Sequence, residues 1–407
     1  MRVRVLVLFG MVMLPASMPP AVAAPMGKAP ASVTDPWPEV EAFYKNALVR
    51  HHVEGSSLLV VRDGKVANRA VHGLQDHDLG KPVTEDTIFH WASITKTFTG
   101  IAILQLRDRG LLSLDDPIVK YLPELRQVRN PFGDMSQVKL RHLMSHSAGF
   151  RAPTWPWSEG KDWEPFEPPR YEQVQAMLPY TELLFAPGSR FSYSNPGVVF
   201  LGRTIEVLTN EDYEVYVDKN VLRPLGMYRS FFDKTPPHLL RHRSHSYFYD
   251  AKGLHEARFD FDSGATVSNG GLNAPLGDMA LYLGFLLGSP EKKAAYEEIL
   301  KRSSLEEMWR PQVTVPDEGG ASVALGLSYF LERRFGLDLV AHSGTQNGFL
   351  SHFFVHVPSR SAYIVAYNTQ AGGEEANEPA PDGASTRRLD AELRDFLIPR
   401  LFPGASR

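Results

Sequence analysis

The chain has 407 residues, 43% hydrophobic and 22% charged, enough for a large core in one or two domains. A formal charge of −4 gives no electrostatic case for nucleic acid or an anionic membrane surface. Cysteine is absent, which excludes disulfides, thiol nucleophiles and thiolate metal sites.

The N-terminus reads as an export signal. Met1-Arg2-Val3-Arg4 is basic, Val5 to Leu14 is apolar, and Ala21-Val22-Ala23 is a small-residue cleavage site. Residues 1–23 are thus expected as a signal peptide, 24–36 as a flexible leader and 37–407 as the folded domain. Removing Arg2 and Arg4 would take the formal charge from −4 to −6. The apolar run is too short to span a bilayer. The expectation is an exported protein, periplasmic or secreted, with no stable membrane insertion.

Pro38 to Val49 has the spacing of a helix. Ser57 to Arg62 and Val66 to His72 are strand-like, and Asp63-Gly64 between them signals a hairpin. Leu79-Gly80-Lys81-Pro82 reads as a turn. Thr87 to Phe89 leads into a helix carrying Phe98, Ile101, Leu104 and Leu106, with Gly110 past its end. Residues 111–133 read as loop with short helical pieces, and Leu140 to Ser145 as a short helix. The tryptophan- and proline-rich stretch 153–169 is irregular; its aromatics either pin the loop down, the favoured reading, or line a pocket mouth. Tyr171 to Leu184, Val198 to Leu208 and Tyr213 to Leu222 are expected helices. Strand-like runs return at 246–249, 325–331, 337–340, 351–357 and 362–367, with an amphipathic helix at 278–287 among them. A loop at 371–385 precedes a final helix with Leu389, Leu393 and Phe396 in register. Strands at both ends and helices between imply one sheet built from both ends, with an α-rich insertion at roughly 93–240.

Three pieces carry chemistry. Ser93 and Lys96 are three residues apart at the head of an apolar helix, so they share a face. A lysine held there is a usable base, and a serine beside a base is an activated nucleophile. The spacing alone is weak, because Ser136/Lys139, Ser158/Lys161 and Ser289/Lys292 repeat it. The bland reading is an N-cap serine and a solvated lysine. Tyr193-Ser194-Asn195 presents a phenol and an amide side by side; a tyrosine near a lysine can have its pKa lowered and relay protons. His342-Ser343-Gly344-Thr345 follows a strand-like run, where Gly344 permits close backbone approach and N–H groups can face an oxyanion. There is no Gly-x-Ser-x-Gly elbow, no His-Glu-x-x-His and no phosphate-binding loop. His242-x-x-His245 has no surrounding ligand pattern and reads as surface, so neither metal nor cofactor is expected.

In this order the pieces resemble the serine β-lactamase and penicillin-binding superfamily, in particular class C β-lactamases with their D-alanyl-D-alanine carboxypeptidase and esterase relatives. Connecting phrases strengthen the resemblance: Asp63-Gly64-Lys65, Leu140 to Gly149, Phe185 to Gly197, Pro224-Leu225-Gly226-Met227, and Gly270-Gly271 ahead of Asp278-Met279. It runs from about Val53 to about Tyr367. It implies an α/β fold, a central antiparallel sheet flanked by helices and joined to a mostly α-helical subdomain. It implies Ser93 as acylated nucleophile, Lys96 and Tyr193 as acid/base groups, and Asn195 as a substrate and lysine contact. The backbone N–H groups of Ser93 and Thr345 would form the oxyanion hole, and His342 and Ser343 would flank the substrate and its carboxylate.

Class C enzymes usually carry Lys-Thr-Gly where this chain has His342-Ser343-Gly344. The expected activity is therefore an exported serine hydrolase acting on a D-amino-acid peptide, an ester or a β-lactam, with peptidase or esterase action favoured. The partner is a small-molecule or peptide substrate, not nucleic acid. A catalytically silent binding or scaffold protein on the same fold is the alternative.

Overall fold

A computed structural model describes residues 35–152, 168–257, 259–316, 322–372 and 380–405. The expected signal peptide, nearly all of the leader and most of the tryptophan-rich stretch lie outside them. Pro36–Arg407 cluster as one unit.

The sheet is assembled from both ends of the chain. Asp63 and Gly64 both adopt positive φ (52° and 73°), the twist a two-residue hairpin needs, and join Gly55–Arg62 to Lys65–Asp76. The first of these strands then pairs antiparallel with Ser361–Tyr367, some three hundred residues later, from Ser56 opposite Tyr367 to Arg62 opposite Ser361. Phe349–His356, Leu337–Gln346, Phe330–Arg334, Ser322–Leu325 and Val313–Thr314 continue outward on one side, and Lys81–Pro82 closes the other, giving nine strands.

Alternation sorts the side chains of this sheet onto two faces. Leu58, Val60, Leu339, Phe354, Tyr363 and Val365 meet the helices Trp37–Arg50 and Thr386–Leu401. Leu59, Val61, Phe353, Val355 and Ile364 meet the helices Thr95–Asp108 and Leu276–Leu287, which belong to the larger core. Both faces are covered, so the central strands read as continuous apolar runs rather than alternating ones. The helix Thr95–Asp108 is buried from Thr95 through Leu106.

Several expected elements differ. The helix from Tyr171 stops at Ala176 and gives way to a 3-10 turn, Leu178–Tyr180, because Pro179 disfavours α geometry in the residue before it. The run 325–331 is two strands broken at Gly326, where a Cβ would lie 2.2 Å from the Met308 carbonyl oxygen, with Ser328 at φ 66°. The helix expected from Val198 begins at Asn195, capped by Ser194 Oγ accepting the Gly197 N–H at 3.2 Å. Tyr213 to Leu222 is an α segment, Tyr213–Val217, followed by a π turn, Asp218–Leu222. Tyr247–Asp250 pairs in a separate small sheet with Thr369–Ala371 and Gly253–Glu256. No helix among the described residues is long and apolar enough to cross a membrane.

Candidate active site

Ser93 is positioned by a short strand and a strained turn. Ile88–His90 pairs antiparallel with Leu272–Pro275, and the Trp91 indole donates to the Ala274 carbonyl at 2.9 Å. Ala92 is then forced to φ 46°, an uncommon conformation for a residue with a Cβ. The 3-10 turn Ala92–Ile94 runs straight into the helix Thr95–Asp108. Lys96 therefore falls back over Ser93, its Nζ donating to Ser93 Oγ at 2.9 Å and to the Asn269 carbonyl at 2.8 Å. Lys96 is buried and Ser93 is partly open. A partly open hydroxyl thus rests on a buried amine.

Tyr193 lies at the start of the helix Asn195–Thr209, and Lys96 Nζ is 5.0 Å from the centre of its ring. Burial pushes the phenol above its usual range, and a hydrogen bond with Ser93 only partly opposes this. The lowered phenol pKa expected beside a lysine is therefore corrected: Tyr193 stays a neutral phenol. Its neighbour Asn195 leaves Oδ1 buried without a partner.

The third element is the strand Leu337–Gln346. Its pairing with Phe330–Arg334 ends at Ala341, while its other edge stays paired through Gln346. The end of the strand is free to meet the Ser93 turn. A Cβ on Gly344 would lie 2.1 Å from the Trp91 carbonyl oxygen and 3.1 Å from the Ser93 nitrogen, so only glycine fits. Gly344 and His342 face inward, and Ser343 is exposed on the opposite side. His342 Nδ1 is 2.7 Å from the Ser343 carbonyl, so it carries the proton and Nε2 is left as a buried acceptor without a partner. Burial, then the Lys96 charge, lower the His342 pKa to about 3. The histidine is neutral, so it offers no charge to a substrate carboxylate.

The structure thus brings Ser93, Lys96, Tyr193, His342 and Gly344 together; Asn195 follows Tyr193 by two residues, Thr345 follows Gly344 along the strand, and Ser343 lies on the outer side of that strand. The look-alike pairs separate: Lys139 Nζ turns to Asp115 at 3.1 Å, and Lys292 is exposed in a 3-10 turn. Ser158/Lys161 lies outside the described residues.

Other contributors were not singled out from sequence. Asn269 supplies the carbonyl that holds Lys96, and its Nδ2 is buried without a partner. His90 contacts Asn273 Oδ1 through Nδ1 and the Gln346 amide through Nε2, both at 3.0 Å. Asn273 Nδ2 donates to the Asp233 and Gly271 carbonyls, which leaves its Oδ1 to accept from His90 Nδ1, while His90 Nε2 lies against Gln346 Oε1. This pins the strand end beside the Ser93 turn. Asn347-Gly348, with φ of 50° and 82°, is a hairpin signal that would have located this end. Among the described residues no group of acidic or histidine side chains is arranged to hold a metal.

The family described as Beta-lactamase matches residues 40–387. Esterase EstB of Burkholderia gladioli is 33% identical over 202 residues, covering 46% of this chain and 49% of the esterase. Protein flp of Staphylococcus aureus (strain COL) is 26% identical over 330 residues, covering 81% of this chain and 62% of flp. The matches thus span 49% and 62% of these relatives' lengths, less than two thirds of either. The octameric penicillin-binding protein homologue from Pyrococcus abyssi superposes with a TM-score of 0.73 at 28% identity, over 89% of this chain and 79% of that one. With a family match running from the first helix into the last, around a Ser93–Lys96 pair in contact, the chain belongs to the beta-lactamase family.

Proposed function

We propose that the protein is an exported serine hydrolase that cleaves carboxylic esters or amides through an acyl-enzyme on Ser93. The observation that carries this is the 2.9 Å contact between Ser93 Oγ and the buried Lys96 amine. A partly open hydroxyl on a positioned amine is what nucleophilic acyl transfer requires. The N-terminal sequence supports export.

In this reading the Ser93 hydroxyl passes its proton to the Lys96 amine while Oγ bonds to the acyl carbon. The carbonyl oxygen takes the negative charge against the N–H groups of Ser93 and Thr345. Tyr193, a neutral phenol bonded to Ser93, hands a proton to the leaving alcohol or amine and is reprotonated from Lys96. Water then repeats the sequence on the acyl-enzyme. Asn195 Oδ1, Asn269 Nδ2 and His342 Nε2 are buried without a partner, and in this reading the substrate supplies partners for them.

Ester cleavage, or cleavage of a peptide ending in a D-amino acid, fits better than dedicated β-lactamase action. The third motif carries a neutral imidazole where a fixed cation would hold a β-lactam carboxylate. The esterase relative points the same way.

A fluorophosphonate probe is expected to label the protein on Ser93, with Ser93→Ala abolishing both labelling and p-nitrophenyl ester hydrolysis. Labelling that survives in Ser93→Ala would overturn the assignment. A panel of p-nitrophenyl esters, D-alanyl-D-alanine peptides and a chromogenic cephalosporin then ranks the substrate classes.

A further inference from the structure

His146 belongs to none of the catalytic pieces, yet it touches one of them along its whole length. It follows the helix Leu140–Met144 and adopts φ 49°, which turns its ring inward. Its carbonyl accepts the Ser192 N–H at 2.8 Å. Its Nδ1 accepts the Ser194 N–H at 3.1 Å. Its ring lies on the Tyr193 ring with centroids 4.3 Å apart and planes tilted by 33°. The Phe191 ring stands at 87° to it, 6.3 Å away. Four consecutive residues, Phe191 to Ser194, are therefore gripped by one histidine that is 2% exposed.

We propose that His146 is a positioning residue, which clamps the segment Phe191 to Ser194 and so holds the Tyr193 phenol against Ser93. The inference rests on the role given to Tyr193 above.

The clamp needs a particular form of the imidazole. Nδ1 must keep its lone pair for the Ser194 N–H, so the proton sits on Nε2. A second proton would set two donors against each other and open the clamp. Burial holds His146 in the neutral form. An ordinary core histidine would need only the ring contacts. The acceptor aimed at the backbone next to the phenol is what marks a positioning role.

Two substitutions separate these possibilities. His146→Phe keeps a ring against Tyr193 and removes the acceptor. His146→Asn places Oδ1 where Nδ1 stood and keeps the acceptor; asparagine also tolerates positive φ. On a p-nitrophenyl ester, His146→Phe is expected to lower kcat by ~10- to 100-fold with little change in KM, the cost of a misplaced proton-transfer group. His146→Asn is expected to restore most of the lost kcat. Should the Phe variant not fold, His146→Leu takes its place with the same expectation. The inference is overturned if kcat per folded molecule is unchanged in the acceptor-lacking variant, or if His146→Asn loses as much as it does. Fluorophosphonate labelling separates the two layers. If Ser93→Ala still labels, the functional reading fails; if only Ser93 labels and the His146 variants turn over normally, the clamp alone fails.

Discussion

Three imidazoles, His90, His146 and His342, lie buried within the region around Ser93, and all three are neutral. Burial lowers His90 to about 4 and His342 to about 3, and puts His146 well below the usual range. Binding of a substrate carboxylate should therefore show no histidine titration. The inhibition constant of a carboxylate-bearing substrate analogue is expected to be flat from about pH 5.5 to about pH 8. A tenfold weakening centred near pH 6.5 would return the charge to His342. Single residues were legible in sequence where their partners were close in the chain: Ser93 and Lys96, or Tyr193 and Asn195, announce themselves by spacing. What Lys96 holds was not legible. Its second acceptor is a backbone carbonyl at Asn269, and no side-chain type encodes that contact. The direction of the Tyr193 shift was hidden for a related reason, since proximity to a cation is read from sequence but depth of burial is not.

The nucleophile turn and the strand Leu337–Gln346 act as a matched pair. Gly344 is the contact point, with the Trp91 carbonyl oxygen 2.1 Å from where a Cβ would stand. Backbone cannot yield as a flexible side chain would. Gly344→Ala is expected to cost about 1–3 kcal/mol of stability through overpacking, and to lower kcat/KM at least ~100-fold by pushing the strand end away from Ser93. Thermal melting and ester hydrolysis measure the two effects. Wild-type activity in this variant would show that the strand end takes no part in the site. Elements were legible where local chemistry decides them. Asp63-Gly64 marked its hairpin, and Gly110 with φ 76° ends the helix Thr95–Asp108. Elements were misread where a distant contact decides. The break at Gly326 exists because the chain must clear Met308, and the Leu327 N–H bonds to that same carbonyl at 2.8 Å.

At the scale of the molecule, the same buried imidazoles set how it meets acid. Their folded pKa values lie below the unfolded value near 6.5, so the stability they contribute is complete above that pH. It drains away as pH falls toward the folded values. Asp233 runs the other way: burial raises it to about 7, so its contribution is lost as pH rises. With His51, His72, His142, His242 and His356, which burial also lowers, these imidazoles outnumber the raised groups Asp233, Glu214, Asp278 and His77, giving net proton uptake on unfolding between roughly pH 5 and 6.5. The melting temperature is expected to drop from about pH 7 to about pH 5, with ~1.4 kcal/mol lost per pH unit for each proton taken up. A level or rising melting temperature over that range would mean that these rings are protonated in the folded state. The sheet was legible at this scale because strand-like runs stood at both ends of the sequence; its nine-strand order was not, since pairing partners leave no local mark. That order also carries a consequence for how the protein is made. Gly55–Arg62 emerges early from the ribosome but has its neighbour in Ser361–Tyr367, and Ser93 waits likewise for Gly344. Most of the chain must be synthesised before the nucleophile has a strand to lean on, so an unfinished chain holds its serine and lysine without a site. Contacts this distant in sequence also make for slow folding.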